Sequence, residues 1–249
     1  MTNNMFFIAN WKMFGDLKSV NSIKKVIKLS RSKKYKKAQI VYCPPYTLID
    51  KILRITKNTK IKVGAQNCHY SQINGPFTGS IHSDLIKSIG AKYVIIGHSE
   101  NRVLGDTNQL INLKIKSALK KKLKIIFCIG ETLREKRKKK TNLILKSQIH
   151  AALKNIKKNN NIIFAYEPVW SIGTGIIPKI ENLEKQVTII KKIIINFWKL
   201  KNPQIIYGGS VNPKNVAELK KIRSINGFLI GGASQNSKNF IDIIKKTIN

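Results

Sequence analysis

The stretch Ile162-Ile163-Phe164-Ala165-Tyr166-Glu167-Pro168 decides how the chain folds. Its apolar residues, rich in β-branched and aromatic side chains, predict a buried strand, and the carboxylate that follows stands at the strand's end. Further on, Leu183, Val187, Ile190 and Ile194 recur at the spacing of one helix face, opened by Glu181 and Glu184 where acids suit a helix start. Gln204-Ile205-Ile206-Tyr207-Gly208 then repeats the strand signal. Strand, amphipathic helix and strand predict parallel pairing through a right-handed crossover.

Runs of the same kind lie at Met5 to Ala9, Gln39 to Tyr42, Ile61 to Ala65, Tyr93 to Gly97, Lys124 to Ile129 and Gly227 to Ile230. Eight such units in 249 residues match the dimensions of a closed (β/α)8 barrel, with a doubly wound open sheet as the competing α/β architecture. No Pro-, Gly- or Ser-rich linker divides the chain, so residues 1–249 are expected to form a single barrel domain. In either architecture, function collects where strands end and loops begin.

With 42% hydrophobic and 8% aromatic residues the chain has enough apolar surface for one core, which excludes a disordered protein. Lys and Arg number 47 against 12 Asp and Glu, a formal charge of +35. That balance points first to an anionic partner: nucleic acid, an acidic membrane or a phosphorylated metabolite. The apolar runs fall far short of the roughly 20 residues a spanning helix needs, and Met1 to Phe14 lacks a signal-peptide pattern. Three widely spaced cysteines, Cys43, Cys68 and Cys128, make no CxxC pair and no disulfide framework, which fits a reducing, cytoplasmic setting.

Lysines cluster between the apolar runs, for example at Lys33 to Lys37, Lys120 to Lys124, Lys136 to Lys140, and Lys157 and Lys158, on stretches with helical spacing such as Leu110, Leu113, Ile115 and Leu119. They read as the outward faces of many helices. A nucleic-acid binder would gather its charge on one face and add aromatic residues or a reading helix, so no specific nucleic-acid partner is expected. Lys, Ile and Asn share codons rich in A and T, which gives the charge a compositional origin.

Acids are the rarest charged class, and three directly follow apolar runs: Glu100 in Gly97-His98-Ser99-Glu100, Glu131 in Ile129-Gly130-Glu131, and Glu167. A carboxylate at a barrel mouth is a candidate base, although a loop cap or buried ion pair is the expectation for Glu131. Of the histidines only His98 ends a strand run and precedes a Ser-Glu pair. Gly173 and Gly175, Gly208-Gly209-Ser210, and Gly231-Gly232 follow the sixth, seventh and eighth runs, as a barrel phosphate site built from backbone amides requires. Lys12 after the first run adds a mobile cation; at 4 Å and an effective dielectric near 20 such a charge pair is worth about 4 kcal/mol before desolvation.

Asn10-Trp11-Lys12, Gly64-Ala65-Gln66-Asn67, Phe77-Thr78-Gly79, Ile96-Gly97-His98-Ser99-Glu100, Cys128-Ile129-Gly130-Glu131-Thr132, Ala165-Tyr166-Glu167-Pro168-Val169-Trp170, Tyr207-Gly208-Gly209-Ser210 and Gly231-Gly232-Ala233-Ser234 resemble, from end to end, the triosephosphate isomerase family. The resemblance implies a TIM barrel and interconversion of dihydroxyacetone phosphate and glyceraldehyde 3-phosphate through an enediol or enediolate, without metal or cofactor. It implies Glu167 as the base, His98 as the neutral electrophile, Asn10 as a further donor, and Lys12 as the holder of phosphate. Gly173, Ser210, Gly231 and Gly232 would supply phosphate amides, and Glu100, with Ser99 beside it, would assist next to Lys12. It also implies a homodimer in which the loop Asn67–Ser80 inserts Thr78 into the partner, with no membrane attachment.

Three departures from that family stand out. The lid from Pro168 to Pro178 carries Ile176, Ile177 and Pro178 where Lys and small residues are usual, and proline restricts both itself and the residue before it. Ser80 replaces a Glu and Asn101 an Arg that normally pair across the interface, which removes two charges together and implies a weaker dimer. The segment after Arg102 is one residue short, which leaves the partner of Asp106 open. The competing readings are another phosphate-binding barrel enzyme, which does not account for the Asn-Trp-Lys and His-Ser-Glu blocks, and a basic polyanion-binding protein.

Overall fold

Strands buried on both faces need no polar alternation, and the eight apolar runs pair accordingly in a computed structural model that describes residues 4–249. They form β1 (Met5–Asn10), β2 (Ala38–Cys43), β3 (Lys62–Ala65), β4 (Tyr93–Ile96), β5 (Lys124–Ile129), β6 (Ile162–Tyr166), β7 (Gln204–Tyr207) and β8 (Gly227–Ile230). Each is parallel to the next, and β8 returns to β1 to close the barrel in sequence order. The closed (β/α)8 architecture is therefore the one adopted, and the open doubly wound sheet is not.

Alternation along each strand sorts side chains into two cores. Phe6 and Ile8 of β1, Ile126 and Cys128 of β5, and Ile163 and Ala165 of β6 fill the barrel interior. Their neighbours Phe7, Phe127 and Phe164 face the surrounding helices, where they meet residues such as Ile149, Val187 and Trp198. The parity has a direct consequence at the strand ends. Asn10 continues the inward column of Phe6 and Ile8, and Glu167 continues that of Ile163 and Ala165, so both project into the mouth. Glu131, two residues beyond the outward-facing Ile129, keeps that outward parity.

One helix is rotated from its expected setting. In Asn108–Lys120 the buried face is Ile111, Ile115 and Ala118, while Leu113 is exposed. The rotation buries two polar side chains with full partners: Asn112 donates to the carbonyls of Ala152 and Lys154, and Lys114 reaches Asp106 at 2.6 Å and the Asn67 side chain at 3.0 Å. Lys114 is thus the partner of Asp106 that the shortened segment left open.

Of the 47 Lys and Arg, 21 lie in α-helices, in keeping with their reading as helix faces, but a second group lies elsewhere. Connectors that run from a helix to the next strand span 31–37, 57–61, 89–92, 121–123, 154–161, 199–203 and 220–226. They hold eighteen of the 47 Lys and Arg and no Asp or Glu. All seven lie at the N-terminal end of the barrel, opposite the mouth.

Candidate active site

Asn10, Lys12, His98 and Glu167 converge on one cavity of about 290 Å³ at the C-terminal ends of the strands, and Gly173, Ser210, Gly231 and Gly232 line the same cavity. Five different strand ends and the lid thus meet at one place. Ser99 lines neither this cavity nor its neighbour, and Glu100 lines only the neighbouring one.

Glu167 is almost wholly enclosed, and burial pushes its carboxyl above the ordinary carboxylate range against the opposing pull of His98. Its Oε1 lies 3.5 Å from Nε2 of His98, and its Oε2 is buried without a hydrogen-bond partner. Glycines on both sides make room for it. A Cβ at Gly208 would come within 2.6 Å of the Glu167 Cγ, and one at Gly130 would run into the Glu167 carbonyl. The Glu167 backbone N–H is itself held by the carbonyl of Ile129 at 2.8 Å.

His98 ends β4 and caps the helix Ser99–Val103. Its Nδ1 accepts a hydrogen bond from the backbone N–H of Glu100 at 3.3 Å. A nitrogen that accepts carries no proton, so the neutral ring holds its proton on Nε2, the atom that faces Glu167. Arg102 steadies this corner: it donates to the Gly97 carbonyl at 2.8 Å, the Asn108 side chain at 2.7 Å and the Cys128 carbonyl at 3.2 Å, and so bridges the ends of β4 and β5.

Lys12 has a left-handed backbone, φ 53°, an uncommon state for a side chain of its kind. The Asn10 side chain accepts from its N–H at 3.1 Å, and the Gln66 side chain donates to its carbonyl at 2.8 Å. Its ammonium meets Glu100 Oε1 at 2.6 Å, and its Cε would lie 3.5 Å from a Cβ at Gly231, so the stem crosses the glycine wall of the cavity. The Lys12 side chain therefore spans from Glu100 to the glycine-lined side of the cavity.

Glu131 takes part in none of this. It accepts from Trp170 Nε1 at 3.0 Å and from the Tyr166 hydroxyl at 3.2 Å, while its backbone carbonyl accepts from Val169 N at 3.0 Å. Lys136 stacks 3.2 Å over the Trp170 ring. These contacts anchor the start of the lid. Farther along, the Ser171 hydroxyl donates to the Ile176 carbonyl at 2.6 Å and lies 2.9 Å from the Tyr207 hydroxyl, and Ile177 packs on the helix layer.

Sequence reasoning assigned no role to Gln66, Ser171, Tyr207 or Arg102. Gln66 carried a usable signal, since it directly follows β3. The others act through partners far away in sequence.

Beside the mouth a larger hollow of about 940 Å³ shares Asn10, Lys12 and His98 with it. Glu100, Ser80, Asn101 and Asp106 also line it. Met13, Val103 and Leu104, all strongly exposed, belong to the same segments. Among the described residues no group of three or more His, Cys, Asp or Glu side chains gathers as a metal ion would require, and no helix is long and apolar enough to cross a membrane.

A barrel mouth with an enclosed carboxylate, an imidazole, a lysine and a glycine-rich wall defines an enzyme of acid–base chemistry on a small anionic substrate. The triosephosphate isomerase family model matches residues 5–247. The triosephosphate isomerase of Dictyoglomus thermophilum is 41% identical over 244 residues, covering 95% of this chain and 97% of its own, and that of Saccharomyces cerevisiae is 38% identical with 98% of each covered. The crystal structure of triosephosphate isomerase from Bartonella henselae superposes with a TM-score of 0.88 at 32% identity, covering 98% of each chain. The chain belongs to the triosephosphate isomerase family, whose members are aldose–ketose isomerases.

Proposed function

We propose that the mouth interconverts dihydroxyacetone phosphate and D-glyceraldehyde 3-phosphate by moving a proton between neighbouring carbons, the role of the family in glycolysis and gluconeogenesis. The observation that carries this reading is the Glu167 carboxylate, buried, with one oxygen unpartnered and the other 3.5 Å from His98 Nε2.

Glu167 takes a proton from C1 of the ketose, and the electron pair of that C–H bond becomes the C1–C2 double bond of an enediolate. Charge then develops on the C2 oxygen, where the Nε2–H of His98, the Asn10 amide and the Lys12 ammonium offer donors already in place. The C2 oxygen takes a proton from His98 Nε2–H, the C1 hydroxyl gives its proton back to that nitrogen, and return of the carbon-bound proton from Glu167 to C2 as the C1 carbonyl forms gives the aldose and restores both residues, so the scheme calls on no cofactor. Lys12 and the amides of Gly173, Ser210, Gly231 and Gly232 hold the phosphate, and Glu100 steadies Lys12. Closure of the lid removes water and strengthens each of these electrostatic contacts.

The active form in this reading is a homodimer in the cytoplasm. Thr78 is exposed near the tip of the loop Asn67–Ser80, and the hollow of about 940 Å³ beside the mouth offers a second copy's loop a seat next to Lys12 and His98. The three cysteines are free and buried, in keeping with a reducing compartment.

A coupled assay with D-glyceraldehyde 3-phosphate tests the assignment. Glu167→Gln is expected to lower kcat by about 10²- to 10⁴-fold while a phosphate analogue still binds. A kcat left unchanged would overturn it.

A further inference from the structure

We propose that the N-terminal end of the barrel, opposite the mouth, is a docking face for the phosphodiester backbone of nucleic acid, read without regard to sequence. Three observations support it. The seven helix-to-strand connectors concentrate cations to the exclusion of acids, as given above. Helix C-termini end there too, but at about −0.5 charge each they offset only a fraction of eighteen positive side chains. The strand-to-helix connectors at the opposite end, by contrast, carry Asp16, Glu131 and Glu167.

The second observation is shape. Two adjoining hollows of about 580 and 540 Å³ run across this end between the starts of β6 and β7 and beside the start of β8, sharing Lys201, Asn202 and Gln204. Lys158 and Lys199 line the first and Lys191 the second, and neither hollow is lined by a carboxylate. Among the described residues none of these four lysines has a carboxylate within ion-pair distance. The side chains of Asn160, Asn202 and Gln204 are exposed and supply further donors without charge.

The third is the surface chemistry between the lysines. The aromatic ring of Tyr35 is buried, as are Leu123, Leu200, Ile222 and Ile225, so the connectors offer no stacking platform for bases, and Ile89, the single exposed large apolar side chain among them, is too little to wedge into a bilayer. What remains is a broad cationic surface with hydrogen-bond donors, which suits phosphates in water. A polyanion seated there leaves the mouth open.

Fluorescence anisotropy with a labelled 20-nucleotide RNA and a matching DNA duplex tests the proposal on the intact protein. Log affinity is expected to fall linearly with log salt, with a slope of about −0.7 to −0.9 per phosphate contacted. Replacing Lys158→Gln, Lys199→Asn and Lys201→Gln together is expected to weaken binding by roughly tenfold at 50 mM salt, with kcat/KM unchanged; asparagine keeps the left-handed backbone of Lys199, φ 56°. The matched control at the mouth end is Lys138→Gln, Lys139→Asn and Lys140→Gln, where Lys139 is also left-handed, φ 56°. Equal losses from the two triples would overturn the proposal, because net charge and not this face would then govern binding. So would absence of oligonucleotide binding at 50 mM salt, or capture by vesicles containing phosphatidylserine with no affinity for the oligonucleotides.

Discussion

Gln66 donates one amide nitrogen to the carbonyl of Lys12 at 2.8 Å and to that of Cys43 at 2.9 Å, tying a left-handed lysine to the end of β2. Removing the amide leaves the Lys12 carbonyl unpaired, a cost of about 1–3 kcal/mol where water cannot replace it, and frees the Lys12 backbone to relax, while the Cys43 carbonyl keeps its bond from the Trp11 N–H at 3.1 Å. Gln66→Leu is therefore expected to raise KM for D-glyceraldehyde 3-phosphate by about tenfold and to lower kcat less. Steady-state kinetics at constant ionic strength read the split, and an unchanged KM would remove Gln66 from the support of Lys12.

A methyl group at Gly208 collides with the Glu167 side chain, so Gly208→Ala is expected to push the base aside while leaving its chemistry intact. Misplacement of a reacting group by about 1 Å costs on the order of 10²-fold in rate. The expected result is a kcat lower by that factor with thermal stability little changed. A variant that loses rate and stability together would instead indicate general damage to the β7 end.

Burial raises the Glu167 carboxyl in the folded protein, so its ionisation opposes folding. Below the unfolded value, about pH 4.3, the group is protonated in both states and the penalty is absent. As pH rises through the elevated folded value the penalty develops fully. Glu167→Gln removes it. The melting temperature of the variant is expected to match that of the parent near pH 4 and to exceed it at pH 7, and differential scanning calorimetry across that interval checks the sign. An equal difference at both ends would show that the carboxyl is not destabilising by virtue of its charge.

If the hollow beside the mouth seats a partner's loop, the charge pair missing at Ser80 and Asn101 can be put back. Ser80→Glu alone and Asn101→Arg alone are each expected to weaken association, whereas the double variant is expected to restore or tighten it. Sedimentation velocity over a dilution series supplies the three dissociation constants. Additive effects would place the two residues out of contact across the interface. Thr78→Arg, which blocks the seat itself, is expected to shift the protein toward monomer and to lower kcat.

The strands were legible because parallel strands covered on both faces are nearly continuous apolar runs: β5 and β6 begin and end at the residues the pattern indicates, and β4 stops one short, at Ile96, where Gly97 turns the chain. The core of the site was legible for a different reason. In a chain so poor in acids, Glu167 directly after a strand is conspicuous, and His98 stands out in the same way. The network around them was not. Ser171 meets Tyr207 across 36 residues, and the rotated helix puts Lys114 rather than a leucine in the interior, an outcome decided by the carboxylate of Asp106. Glu131 was expected to differ from Glu167, and the physical reason is strand parity, which the register around the barrel supplies. The gathering of lysines at one end depends on where each helix stops: Lys157 and Lys158 look like part of an amphipathic stretch, yet the helix has already ended at Leu153.

Strands of four to six residues, at about 3.3 Å each, make a barrel wall about 13–20 Å long. Ions in solution screen exposed charges within about 10 Å at 0.1 M salt, so a lysine gained in a connector behind the barrel does little to the field at Glu167. The two ends can accordingly accept mutations at very different rates. A lineage whose codons drift toward lysine can deposit the change behind the barrel, generation after generation, without disturbing turnover, and the face so altered is then available to acquire a second use.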